Sequence, residues 1–281
     1  GLVQVEELGT LETPIALTNT LNVGKVWDAM VDIVVEQCEQ DGLEPMSINP
    51  VVGECNDSRI NQIQKRVVGA DEVRQAFASA SEEFEEGDVG AGAGTICYGL
   101  KGGIGSASRV IRIGEKEYTI GVLVQSNFGA TEDFVLNGES VGAKILDWKQ
   151  EKDDMAASEE DKGSIMSILA TDLPLTSRQL RRILRRTGVG IARTGGYTGH
   201  GSGEVMIGFT TANRIPSGAE EELLQIQAIP EHVINRAFLA AAEAEQEAIL
   251  NSMTAAERTR GQAGELYYSL SEYLEDQDSK Q

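Results

Sequence analysis

Histidine, cysteine and long apolar runs are scarce in this sequence. The 281 residues include two His and three Cys. Two His leave little room for catalysis by an imidazole base or for a His-rich metal site. The three Cys form no CxxC pair and cannot all pair with one another, which argues against a disulfide scaffold and against a zinc site. The sequence therefore predicts no metal site. No apolar run approaches the ~18 residues of a membrane span, so we also expect no membrane segment.

Basic residues are also few. The chain has 24 Lys and Arg against 45 Asp and Glu, a net charge of -21. A protein of this charge is repelled by nucleic-acid phosphates and by anionic membranes. We therefore expect neither nucleic acid nor a membrane as partner. The hydrophobic fraction of 41% is sufficient for a packed core, so the chain is not a disordered one.

Apolar residues at helical spacing predict four main helices. Asn22 is expected to cap the first, which places Trp27 on its buried face, and Asp71 the second, with Phe77 inward. Gly188 is expected to stop the third helix, and Pro230 opens the long alanine-rich fourth. The helices are expected over 22–42, 71–80, 176–188 and 230–256.

Short apolar runs between these helices predict strands. The strongest runs are 118–125, 165–170 and 205–211, and the weaker ones are 12–17 and 49–52. Helices and strands therefore alternate along the chain. This order indicates an α/β or α+β fold in which helices cover sheets.

A glycine-rich segment at 90–105 contains seven glycines in sixteen residues. It does not fit a dinucleotide-binding loop, because Thr95 and Cys97 stand where G-x-G-x-x-G requires its third glycine. A phosphate-binding GK followed by Ser or Thr is also absent from the sequence. Two interpretations stay open. The glycines either serve tight turns and close backbone approach, or they line a substrate site.

Two further patterns suggest chemistry but favour a structural role. The first is a run of arginines whose spacing avoids the apolar stripe, which indicates a solvated or subunit-facing helix surface: Arg178, Arg181, Arg182, Arg185 and Arg186. The second is His200, which lies close to Ser202 and Glu204, while His232 lies in the first turn of a helix. A Ser-His-Asp triad is disfavoured because no G-x-S-x-G sequence occurs.

A hydroxyl nucleophile needs no histidine if it is the first residue of a chain, because its own α-amine, with a pKa of about 7.7–8, can act as the base. Such a residue requires a small residue before it, a buried strand after it and an exposed linker upstream. Residues 151–170 offer all three, with Gly163 before Ser164 and an acidic linker before both. A plain turn before a strand is the alternative.

Seven segments, in order along nearly the whole chain, resemble the L-aminopeptidase/D-esterase family, also called the DmpA family, which includes the β-peptidyl aminopeptidases. They are TPIALTNT (13–20), PVVGECND (50–57), KGGIGSASR (101–109), VQSNFG (124–129), GSIMSILATDLPL (163–175), GIARTGG (190–196) and SGEVMIGFTTAN (202–213).

The resemblance implies a four-layer α/β/β/α sandwich and a self-processing N-terminal-nucleophile hydrolase. It implies cleavage between Gly163 and Ser164 into an α polypeptide, 1–163, and a β polypeptide, 164–281. The two form a single catalytic domain over 1–281, whose N-terminal part we expect to lie before Gly1. The family also implies a homo-oligomer of αβ units that needs no cofactor and no metal.

The resemblance also assigns roles residue by residue. Ser164 matches the nucleophile, and its freed amine would be the base. Ser202 and Glu204 match a hydroxyl and a carboxylate that orient the Ser164 hydroxyl and amine. Asn127 matches the amide that stabilises the oxyanion.

Two more residues are assigned to substrate binding. Glu54 matches a carboxylate near the amino group of the substrate, and Asn56 stands where relatives often have an aromatic residue. The expected substrates are short peptides, amides or esters with a free amine, cleaved in the cytoplasm. The alternative is a non-catalytic, uncleaved homologue that acts as a binding or structural protein.

Overall fold

The computed structural model describes residues 1–152, 163–201, 203–216 and 223–280. Its helices are α1 (Leu2–Leu8), α2 (Val23–Gln40), α3 (Ala70–Ser79), α4 (Gly142–Glu151), α5 (Ser177–Leu184), α6 (Thr187–Arg193), α7 (Asn235–Thr254) and α8 (Leu270–Ser279). Its strands are β1 (Ile15–Asn19), β2 (Val51–Cys55), β3 (Ile96–Cys97), β4 (Leu100–Lys101), β5 (Ile104–Ile113), β6 (Lys116–Asn127), β7 (Val135–Leu136), β8 (Glu139–Ser140), β9 (Ser164–Thr171), β10 (Gly203–Thr210), β11 (Thr259–Arg260) and β12 (Leu266–Tyr267).

Two sheets form the centre of the fold. The larger has the strand order β10-β9-β6-β5, in which β6 runs antiparallel to both β5 and β9, and β10 runs parallel to β9. The smaller pairs β1 with β2 in parallel. Parallel neighbours need a crossover, which α2 makes between β1 and β2, and α5 with α6 between β9 and β10.

Three clusters of buried side chains show how these layers stack. The first joins α2 and α3 to the small sheet through Val26, Met30, Val73, Ala16 and Val52. The second lies between the two sheets and contains Val51, Cys55, Met166 and Ile207. The third, and largest, packs α7 on the outer face of the large sheet through residues such as Ile165, Leu169, Ala241 and Ile249. The order of layers is therefore α/β/β/α, which confirms the expected fold class.

The predicted strands all occur, and β5 is an addition that the sequence analysis missed. Its sequence, IGSASRVIRI, begins inside the glycine-rich segment and carries Ser and Arg at several positions. It forms a strand because ten residues pair with β6 in a long hairpin. Pairing with a neighbour, rather than an apolar run, decides this element.

The sequence analysis was wrong about three residues of the predicted helices: Trp27, Phe77 and Asp71. Trp27 is 40% exposed, because the buried face of α2 follows Val26 and Met30, one position away around the helix. Phe77 is 39% exposed and borders a cavity of about 810 Å³ beside α2 and α3. The second predicted helix is α3, which begins at Ala70, so that Asp71 lies inside it rather than at its cap.

Gly188 does not stop a helix. The chain bends after α5, and α6 then runs through this glycine. The next glycine explains the arrangement, since a Cβ at Gly190 would lie 2.6 Å from the Ala242 carbonyl oxygen and from the Glu245 Cβ on α7. Small residues thus let α6 pack directly on α7.

Candidate active site

Three strands bring the main predicted residues together at one end of the large sheet. Ser164, the first residue of β9, pairs with Asn127, the last residue of β6, and with Gly203, the first residue of β10. The Gly203 N–H donates to the Gly163 carbonyl oxygen over 3.1 Å. Ser164 is half-buried. The predicted nucleophile is therefore fixed on both sides by sheet hydrogen bonds.

Gly163 occupies a position that excludes every larger residue. A Cβ there would overlap the carbonyl oxygen of Asn127 and would lie 2.7 Å from the Asn127 carbonyl carbon and from the Phe128 Cα. Real Cβ atoms do not approach backbone atoms this closely. The peptide bond before Ser164 thus lies directly against the backbone of β6.

Asn127 is 7% exposed, and hydrogen bonds hold its side-chain amide at both ends. Its Oδ1 accepts from the Ile96 backbone N–H over 3.0 Å, and its Nδ2 donates to the Asn56 carbonyl oxygen over 3.2 Å. These partners fix which end of the amide is the donor. Because an amide NH₂ carries two protons, one bond to Asn56 leaves a second proton that can donate to an oxyanion.

The two predicted substrate-binding residues lie at the end of β2. Glu54 is half-buried, and its Oε2 accepts a hydrogen bond from the Thr20 hydroxyl. Asn56 is exposed, and its Oδ1 accepts from the Ser58 backbone N–H over 3.0 Å. Asn56 therefore contributes a backbone carbonyl to the site, while its side chain stabilises its own loop.

The second carboxylate lies one position along β10. Glu204 pairs with Ile165 in the parallel register, and Gly203 with Ser164. Because side chains alternate along a strand, Glu204 shares the sheet face of Ile165, and the Ser164 side chain lies on the other face. Ser202 lies outside the described residues. The two histidines, His200 and His232, are both exposed.

Cys55 was not singled out by the sequence analysis, yet it contacts β9, the strand that begins with the predicted nucleophile. Its Sγ lies 3.5 Å from the Ser164 carbonyl oxygen and 3.6 Å from that of Gln125. Burial raises the pKa of the Cys55 thiol to about 12. The thiol therefore stays protonated at neutral pH and acts as a weak donor, since the thiolate is the nucleophilic form.

A buried carboxylic acid lies beneath the same strand. Glu245 of α7 is fully buried, and its Oε1 accepts a hydrogen bond from the Ser167 hydroxyl over 2.5 Å. Burial raises the pKa of Glu245 to about 8, because the charged form loses its hydration. At neutral pH this side chain is mainly a neutral acid. The alanine pattern of α7 revealed its buried face but not the acid within it.

Three arginines of the run over 178–186 contact the region where α7 begins. Arg178 and Arg182 form ion pairs with Glu231, and the Arg186 guanidinium lies 4.0 Å above the Phe238 ring. These arginines thus pair with the start of the α7 region.

Within the described ranges, no group of three or more His, Cys, Asp or Glu is placed to hold a metal ion. No helix in the same ranges is long and apolar enough to cross a membrane.

The fold matches solved structures over most of its length. The PH0078 protein from Pyrococcus horikoshii OT3 is 46% identical, with a TM-score of 0.88 over 98% of this chain and 75% of that one. The L-aminopeptidase D-Ala-esterase/amidase from Ochrobactrum anthropi is 34% identical, with a TM-score of 0.81 over 90% of this chain and 69% of that one. That enzyme is described as a prototype of the serine aminopeptidases and a new variant of the Ntn hydrolase fold. The protein is therefore a serine hydrolase with an N-terminal-nucleophile hydrolase fold.

The sequence comparisons identify the family. A β-peptidyl aminopeptidase from Sphingosinicella xenopeptidilytica is 36% identical over 269 residues, which cover 93% of this chain and 67% of the relative. The family model of peptidase family S58 matches residues 1–267. The chain belongs to peptidase family S58, which confirms the resemblance stated above and implies peptide or amide substrates.

Proposed function

We propose that the protein is a self-processing aminopeptidase, amidase and esterase in which Ser164 is the nucleophile and its own α-amine is the base. The pairing of Ser164 with Asn127 on the neighbouring strand is the observation that carries this assignment. It puts a hydroxyl at the start of a strand beside an amide that can donate to an oxyanion. Cleavage before Ser164 would give the α polypeptide, 1–163, and the β polypeptide, 164–281.

The first reaction is cleavage of the chain itself. The Ser164 hydroxyl attacks the carbonyl carbon of Gly163, the C–N bond breaks, and the proton passes to the amine, which leaves an ester. Water then hydrolyses this ester and frees the Ser164 hydroxyl and the Gly163 carboxylate. The close fit of Gly163 against the Asn127 backbone supports this assignment, because it fixes the peptide bond relative to the amide.

Turnover of a substrate repeats this chemistry on another carbonyl. The freed α-amine accepts the proton of the Ser164 hydroxyl as that oxygen attacks, and later returns it to the leaving group. The Asn127 amide stabilises the negative oxygen of the transition state, and one such donor contributes about 3–4 kcal/mol. We assign to Glu204 and Ser202 the orientation of the amine and the relay of its proton. Glu204 pairs with Ile165, on the sheet face opposite the Ser164 side chain, so we assign it to the Ser164 amine rather than to the hydroxyl.

Substrate selection is assigned to Glu54. A half-buried carboxylate at the end of β2 can hold the ammonium group of a substrate by a charge-assisted hydrogen bond. The names of the relatives suggest two classes of substrate, β-peptides and esters or amides of single amino acids. Both classes carry a free amine within two carbons of the scissile carbonyl, which agrees with a carboxylate at this place. We further propose a cytoplasmic homo-oligomer of αβ units.

The test is the intact mass of the expressed protein together with its Ser164→Ala variant. We expect the unmodified chain to give two polypeptides that separate at Gly163–Ser164, and the variant to stay whole and inactive toward aminoacyl nitroanilides. Hydrolysis by Ser164→Ala would contradict the assignment of the nucleophile. A single uncut and inactive species from the unmodified chain would instead favour the binding or structural homologue.

A further inference from the structure

The glycine-rich segment encloses a buried cation. Lys101 has no exposed surface, and its Nζ donates to three carbonyl oxygens: those of Gly92 at 2.8 Å, Thr95 at 3.1 Å and Gly102 at 2.8 Å. An ammonium has three protons to donate. All three therefore hold the backbone of residues 92–102 around a single nitrogen.

This arrangement costs free energy, so it calls for a reason. Burial lowers the pKa of Lys101 to about 8, and the negative charge of Asp88 opposes this shift only in part. A lysine whose partners are neutral carbonyls loses its hydration without gaining a contact with a carboxylate. An apolar side chain would avoid that cost, which points to a role for the ammonium in fixing the backbone.

The glycines of the segment allow the close approach that this cation needs. A Cβ at Gly92 would lie 2.6 Å from the Ile104 nitrogen, and one at Gly103 would lie 2.7 Å from the Gly87 Cα. A Cβ at Gly102 would overlap the Ser126 carbonyl oxygen. The segment thus packs backbone against backbone, directly beside the end of β6 that carries Asn127.

One peptide group links the cation to the predicted oxyanion site. The oxygen of the Thr95–Ile96 peptide accepts from Lys101 Nζ and also from the Gly102 N–H over 3.0 Å. The N–H of the same peptide donates to Asn127 Oδ1. A cation on the oxygen of a peptide polarises it and strengthens donation by its N–H. It also fixes the plane in which that N–H points.

We propose that Lys101 is a positioning residue for Asn127, acting through the Thr95–Ile96 peptide to hold the side-chain amide with its NH₂ group toward the Ser164 site. This inference rests on the proposed function and extends it to the glycine-rich segment. It gives that segment a part in catalysis without any contact with the substrate.

The test is a double-mutant cycle on the processed enzyme, with rates normalised to the processed fraction. Lys101→Met keeps the length of the side chain and removes the charge and its donors. If Lys101 acts through Asn127, we expect the variant to lower kcat about tenfold, equivalent to 1.4 kcal/mol, with little change in KM. In an Asn127→Ala background the same substitution should change kcat by less than about twofold, since contacts that act as one unit are not additive.

A matched control is a second buried lysine, which contacts the same hairpin from helix α4. Lys149 is also buried, and its Nζ donates to the Gly99 carbonyl oxygen at the turn between β3 and β4. Lys149→Met should therefore lower the melting temperature while kcat stays within about twofold of the parent. Equal losses of kcat in the two lysine variants would show a general effect of stability and would overturn the proposal.

A second variant keeps the test decisive if Lys101→Met does not fold. The Thr95 hydroxyl donates to the Gly92 carbonyl oxygen over 3.0 Å, so the isosteric Thr95→Val loosens the same turn by one hydrogen bond. We expect a fall in kcat of about threefold that disappears in the Asn127→Ala background. Additive losses in either cycle would overturn the role of Lys101. Full activity of Asn127→Ala alone would instead overturn the proposed function, so the two failures are distinguishable.

Discussion

Ser164 and Asn127 lie opposite each other in one antiparallel rung, as the first residue of β9 and the last residue of β6. At this rung β6 ends and β9 begins. The proposed nucleophile and the proposed oxyanion amide are therefore spaced by the sheet itself rather than by a loop. A change in how β9 enters the sheet would move one of them relative to the other.

Gly163 is the position where such a change is simplest to make. In Gly163→Ala the new Cβ would overlap the Asn127 carbonyl oxygen, so the start of β9 has to shift. We expect processing to slow by at least about tenfold, a change of 1.4 kcal/mol in the barrier, as measured by the fraction of cut chain over time. Gly121→Ala is the control, because its nearest neighbour outside the adjoining residues is the Ala170 carbonyl oxygen at 3.9 Å. Normal processing of Gly163→Ala would show that this contact is unimportant.

Glu54 should affect binding more than chemistry. Glu54→Gln keeps an acceptor for the Thr20 hydroxyl but removes the charge that would hold an ammonium group. We expect KM for aminoacyl substrates to rise about tenfold, with kcat changed by less than about threefold, because the lost contact exists in both the bound and the transition states. A matched substrate without the amine should respond little. If kcat falls and KM stays constant, Glu54 has another role.

Glu245 should make stability depend on pH. Its pKa is about 8 in the folded protein against 4.5 for an ordinary Glu, so between these values the folded state binds more protons than the unfolded state. The free energy of unfolding therefore falls as the pH rises. The contribution is complete below pH 4.5 and is lost as the pH rises through about 8.

Glu245→Gln removes this titration and can keep a neutral contact with Ser167. Comparing urea unfolding at pH 5 and pH 8, we expect the parent protein to lose at least ~1.4 kcal/mol more than the variant, the equivalent of one pKa unit. Parallel curves for the two proteins would show that Glu245 is ionised in the folded state.

The cysteines should differ sharply in reactivity. Cys38 is half-buried, while Cys55 is fully buried with its pKa raised to about 12 by that burial. At pH 8 we expect iodoacetamide to modify Cys38 readily and Cys55 only after unfolding, since the thiolate is the reactive form. Peptide mapping of native and urea-treated protein measures the two rates. Rapid labelling of native Cys55 would show that the strands beside Ser164 open in solution.

The sequence alone predicted the strand that begins at Ser164, and the resemblance supplied the layer order and the family. The sequence could not reveal that Lys101 and Glu245 are buried. Charged residues are ordinarily exposed, and only the tertiary packing shows that these two are not. Cys55 was missed for a related reason, since its contact with Ser164 joins positions far apart in the chain. The buried face of α2 was misjudged at Trp27, where apolar character alone does not fix the direction of a side chain.

The position of β9 also has a consequence for how the two polypeptides would stay together. After cleavage before Ser164, β6 would belong to one polypeptide and β9 with β10 to the other, although eight rungs still join β6 to β9. The contact between the pieces would be the interior of a continuous sheet and not a docking surface. Neither piece has a complete core of its own, so they would remain an obligate one-to-one pair without exchanging partners.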